Sequence, residues 1–125
     1  MKKTVWSIAI TLACGFSANS FAQDKLEFSG RCTFPSKPEI VNGNTATEAE
    51  MIESQKKMKE YLALGNEFLT CLDGESSQIT AETPKEQADE FKERIDATHN
   101  AVVDDMNAIA DLFNAALRAF KGKNK

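Results

Sequence analysis

Cys32-Thr33-Phe34-Pro35-Ser36-Lys37-Pro38, then Asn42-Gly43-Asn44, then a helical pattern opening at Thr45 and carrying Cys71 near its far end: the fold turns on this stretch. The two prolines fix φ and push their neighbours toward extended geometry, so the run from Cys32 reads as a strap. From Cys32 to Thr45 is about 13 residues, or about 40 Å at the polyproline rise. The helical run from Thr45 to Cys71 is about 26 steps, or about 39 Å. Because the lengths match, a strap lying antiparallel to a straight helix can bring Cys32 onto Cys71.

The helix start has two overlapping capping boxes, Thr45 with Glu48 and Thr47 with Glu50, which leave its register open. Met51, Met58, Leu62, Leu69 and Leu72 then form a one-sided apolar stripe flanked by Tyr61 and Phe68, with Lys56 off it. Gly65 inside this helix costs about 1 kcal/mol relative to alanine, and its reading here is close approach by the strap or a second helix. Asp73-Gly74 supplies a stop, with glycine available for a left-handed cap. A polar linker holding Ile79 follows. Thr83-Pro84-Lys85-Glu86 reads as a threonine cap, a first-turn proline and a glutamate at the third position. From there Phe91, Ile95, Val102, Met106, Ile109, Phe113 and Phe120 recur near the helical period, without glycine or proline before Gly122.

The predicted fold is therefore all-α: an antiparallel two-helix hairpin with an N-terminal extended strap tied to the first helix by a Cys32–Cys71 disulfide. The expected bounds are strap 31–44, helix 45–73, linker 74–83 and helix 84–121, in a single domain over 23–125. A break near Thr98-His99-Asn100, giving a three-helix bundle, is the alternative. Leu62, Leu69, Ile95 and Val102 are expected to be buried, and Lys56 and Glu93 exposed. Residues 23–30 read as a loose polar lead-in.

Lys2 and Lys3 precede an apolar segment from Val5 to Phe16 and a Ser20-Phe21-Ala22 cleavage pattern, which predicts a signal peptide over 1–22 and a periplasmic or secreted product. A second reading makes Leu12-Ala13-Cys14 a lipoprotein site that anchors the product to the envelope. Cleavage after Ala22 leaves two cysteines, an even number for an oxidising compartment, with one possible pairing. Loss of Lys2 and Lys3 moves the formal charge from -4 to -6, which disfavours nucleic acid as a partner.

Cys32-Thr33-Phe34-Pro35, Ala46-Thr47-x-x-Glu50-Met51, Tyr61-Leu62-Ala63, Cys71-Leu72, His99-Asn100-Ala101-Val102-Val103-Asp104-Asp105-Met106 and Phe113-Asn114 resemble a group of small exported proteobacterial proteins without an assigned function. That resemblance covers nearly all of the chain after the leader. It implies secretion, paired cysteines and a helical body, and supplies no catalytic residue.

Catalysis finds little support. Asp96 and His99 are three apart on one helical face, half of a carboxylate-bridged metal site, and Glu53, Glu60 or Glu67 would have to complete it from the facing helix. With a single histidine, the expectation is no enzyme, no metal and no cofactor, and a carboxylate/His metal-binding protein stands as a further alternative. Both thiols lie too far apart in sequence for a redox pair, and no glycine-rich phosphate loop is present. An interaction or structural role is left. In an antiparallel hairpin the longer second helix overshoots by about 10 residues, or about 15 Å. There Leu112, Phe113, Leu117 and Phe120 form an apolar face beside Arg118, Lys121, Lys123 and Lys125. Two readings stand: Ile40 and Val41 fold over Leu112 and Phe113, or the four residues bind a partner. The partner is a second copy, another protein or an anionic membrane surface.

Overall fold

A computed structural model of the protein describes residues 26–125. The expected signal peptide and Cys14 lie outside these residues. Among the described residues the regular structure is helical and no strand is present: α1 spans Glu48–Gly74, a 3-10 turn spans Glu75–Gln78 and α2 spans Lys85–Lys123. The second helix runs through Thr98-His99-Asn100 without a break.

Of the two capping boxes only the second is used. Thr47 Oγ1 accepts from Glu50 N at 3.3 Å while Thr47 N donates to Glu50 Oε2 at 2.7 Å, so two otherwise orphaned N–H groups are satisfied reciprocally. Thr45 is consumed upstream, where the Thr45 and Ala46 N–H groups donate to Asn42 O at 3.1 and 2.8 Å and close the turn around Gly43. The helix therefore starts three residues later than its first candidate.

Two other predicted ends take different forms. Gly74 stays in the right-handed region (φ -64°, ψ -22°) and the chain continues into the 3-10 turn, so the left-handed glycine cap is not made. Thr83 does not cap α2 either. Its hydroxyl accepts instead from Thr80 N at 2.9 Å and tightens the linker, while Pro84 occupies the cap position without a side-chain bond.

Contacts pair the start of α1 with the end of α2 and the end of α1 with the start of α2. Met51 clusters with Phe113 and Ala116, and Leu72 clusters with Phe91 and Ile95. Between them, a Cβ added at Gly65 would lie 2.7 Å from Met106 Sδ. Here the close approach expected at Gly65 comes from α2.

Ile95 and Val102 are buried, and Lys56 and Glu93 are exposed, as the periodicity indicates. Leu62 and Leu69 are only half-buried. The buried positions of α1 are Met51, Ser54, Tyr61, Gly65 and Leu72, a line rotated toward the segment before the helix, because α1 is covered by two neighbours rather than one. That segment meets the helices at several separated positions. Cys32 and Cys71 are disulfide-bonded with Cα atoms 5.6 Å apart. Phe34 stacks edge-on against Phe68 and Tyr61 at 5.2 and 5.9 Å. Lys37 pairs with Asp105 of α2 at 2.8 Å, Val41 N donates to Ser54 Oγ at 3.4 Å, and Gly43 meets the backbone of Ala116.

Candidate functional site

The residues before Cys32 meet the helices in a polar corner around buried Glu75. Gly30 takes φ +73°, a conformation that glycine reaches without steric cost, and the chain reverses so that Ser29 faces the end of α1. Glu75, 2% exposed, accepts there from Ser29 N at 3.0 Å and from the hydroxyl of Ser29 and the amide of Gln78. Cys32 Sγ lies 3.5 Å from Glu75 Oε1. The Ser29 hydroxyl and then the Ser29 N–H hold the Glu75 carboxyl below its ordinary value against the opposing effect of burial, with Gln78 and Arg31 adding to them. The carboxylate is thus ionised and fully engaged: it fixes the disulfide end of the segment to the helix end.

Arg94 completes the corner. It donates to Leu26 O at 2.7 Å, pairs with Glu27 at 3.0 Å and lies 5.0 and 5.7 Å from the ring centroids of Phe28 and Phe91, where the ring quadrupoles attract a cation. Leu26 and Phe28 pack on Leu72, Phe91 and Ile95. Within the described residues 26–30, the lead-in is therefore docked rather than loose. The only advance signs were the Ser29-Gly30 turn pair and two apolar residues alternating in a short polar stretch.

Two shallow cavities of about 400 Å³ each flank Phe68, the first of them beside the disulfide. One is lined by Arg31, Pro35, Leu64 and Cys71 among others. The other is lined by Phe34, Ala97, Ala101, Val102 and Asp105. Their walls are mostly apolar, and the carboxylate of Asp105 is occupied by Lys37.

The four residues proposed from sequence as a partner-binding face separate. Leu112 is 56% exposed, whereas Phe113 is 4% exposed and belongs to the chain's own core with Ala46, Met51 and Ala116. Leu117 and Phe120 are half-buried and pack on that cluster, together with Ile40 and Val41. Lys123 donates to Ala46 O, with its ammonium 5.0 Å from the Phe120 ring centroid. The end of α2 thus has a partner after all, namely the turn before α1, and Phe113 is removed from the candidate surface. His99 is half-buried, and among the described residues no group of three or more His, Cys, Asp or Glu is placed to hold a metal. No helix of the described residues is long and apolar enough to cross a membrane.

Comparison with protein-family models, curated proteins and solved structures finds no match to the chain.

Proposed function

We propose that this is an exported, disulfide-clasped antiparallel helical hairpin that acts as a non-enzymatic interaction module in the periplasm or outside the cell, with residues 31–44 as its strap. The observation that carries the reading is the use made of its buried polar chemistry. Glu75, Ser29, Arg94 and the Cys32–Cys71 pair all join the leading segment to the helices, and a disulfide of this kind suits an oxidising compartment. What is left for function is surface. Leu112, exposed, with half-buried Phe120 and the cations that end α2, is the working patch on this reading, and its partner is a protein of the cell envelope. Crosslinking in intact envelopes tests it. Wild-type protein should give a defined adduct that is lost in the Leu112→Glu, Phe120→Glu double variant, and an unchanged adduct pattern would overturn the assignment of the patch. The same cations favour an anionic membrane surface as the second reading, tested by flotation with anionic vesicles.

A further inference from the structure

Helix geometry divides the surface of the hairpin into a covered and an uncovered flank. Each residue step turns about 100° around the axis. Tyr61 and Phe68 meet Phe34 of the leading segment; Leu62 and Leu69 each follow by one residue and are turned away from it. On α2, Arg94 and Asp105 hold the leading segment. Val103 is nine residues after the first and two before the second, so it is turned about 180° and about 160° from them. Ala110 follows Val103 by seven. Leu62, Leu69, Val103 and Ala110 are all half-buried. The uncovered flank therefore carries one apolar pair at seven-residue spacing on each helix, Leu62/Leu69 and Val103/Ala110, the spacing at which helix faces meet.

The charges at the ends of this flank are opposite in sign. Asp96 precedes Val103 by seven residues, and Lys121 follows it by 18, which is five whole turns, so both lie on the same line and both are exposed. Asp73 and Asp96 line a recess of about 310 Å³ with Lys92 as the single cation. Between Leu69 and Asp96 the chain carries eight acids against three bases, and after Asp111 it carries four bases and no acid.

We infer that the uncovered flank binds a second copy of this chain in antiparallel orientation, α2 against α2, so that Lys121 of each copy enters the Asp73/Asp96 recess of the other. The inference rests on the antiparallel hairpin proposed above. Two hairpins joined in this way make a four-helix bundle with a two-fold axis perpendicular to the helices. From Asp96 to Lys121 the flank is about 37 Å long, and two helices packed side by side are about 20 Å wide. The contact is about 700 Å² per copy, close to the roughly 800 Å² per partner of a stable interface. Parallel stacking of α2 on α2 would instead set acid on acid at one end and base on base at the other.

The test is a charge swap read by analytical ultracentrifugation. Within one chain Asp96 and Lys121 are about 37 Å apart on the same rod, so any coupling between them comes from a second copy. Wild type should dimerise between micromolar and millimolar concentration, more weakly as salt is raised. Asp96→Lys and Lys121→Glu should each weaken the dimer about 3- to 10-fold, as expected for two symmetry-related exposed ion pairs, and the double swap should restore most of the affinity. Val103→Glu should give a monomer of unchanged helicity. A wild type that is monomeric at millimolar concentration overturns the inference, as do single swaps without effect or a double swap without recovery. A monomeric wild type that binds anionic vesicles through Lys121 would assign the flank to a membrane and equally overturn it. Carbodiimide coupling of Lys37 to Asp105, mapped on dilute monomer, keeps the two readings apart: loss of that link strikes the hairpin, whereas its presence beside a failed swap strikes only the dimer.

Discussion

The backbone of Gly43 lies against the carbonyl of Ala116: a Cβ built on Gly43 would lie 2.7 Å from the Ala116 carbonyl carbon and closer still to its oxygen. Here the turn that opens α1 seals the end of α2. Since the obstacle is helix backbone, it cannot move aside, and Gly43→Ala should cost about 1–3 kcal/mol or more. Gly65 offers the contrasting case. The atoms a Cβ would meet there belong to the flexible side chain of Met106, and alanine gains about 1 kcal/mol of helix propensity. Gly65→Ala is therefore expected within about 1 kcal/mol of wild type, and denaturant melts of the two variants compare the two situations directly.

Tyr61 is 2% exposed, and its hydroxyl finds no hydrogen-bond partner among the described residues. Burial, with the nearby Asp105 charge adding to it, raises its pKa against the opposing effect of Lys37. Tyr61→Phe keeps the ring against Phe34 and removes the unpaired group, so it should stabilise the protein by about 1 kcal/mol. A loss of stability in thermal or chemical melts would mean that the hydroxyl has a partner.

Leu72 is 2% exposed and packs with Phe91 and Ile95. Leu72→Ala should cost about 2–5 kcal/mol, as for buried leucines generally. Leu69→Ala, at a half-buried position, should cost clearly less in the same chemical denaturation series. Equal costs would place the core seam of α1 along the sequence stripe rather than along the rotated line.

Glu75 makes stability depend on pH. Its folded-state pKa is lowered, so its contribution is present above the ordinary carboxylate value of about 4.3 and is lost as pH falls through the lower folded value. Wild type should lose melting temperature on acidification below about pH 4.3, and Glu75→Gln should flatten that part of the profile. Glu75→Ala leaves the Ser29 and Gln78 donors without their acceptor and should cost about 1–3 kcal/mol at neutral pH. An unaltered acid limb in Glu75→Gln would remove the carboxylate from the account.

Much of the architecture was legible because local signals and spacing agree. The Thr47/Glu50 box, the unbroken apolar period of α2, and the matched lengths of the Cys32–Thr45 and Thr45–Cys71 runs each point to an observed feature. Other features depend on tertiary contacts that periodicity does not encode. Thr83 gave up its cap to a hydroxyl four-residue turn with Thr80, and Gly74 continued the helix because Glu75 is held by Ser29 from 46 residues away. The surface proposed at the end of α2 rests, in sequence, on a length mismatch and an apolar run beside four cations. Phe113 left it because a turn of three small steps, Asn42-Gly43-Asn44, sets Gly43 against α2. Neither Glu75 nor Arg94 stood out in sequence, since each looks like any solvated charge until its partners are placed.

The most direct measurement of the central claim, an exported hairpin clasped by Cys32 and Cys71, is the intact mass of the protein recovered unreduced from cell envelopes, alkylated before and after reductant. The account predicts a chain lacking residues 1–22 that takes no alkyl group before reduction and two after it. A chain that retains those residues, or one whose two thiols alkylate without reductant, would contradict it.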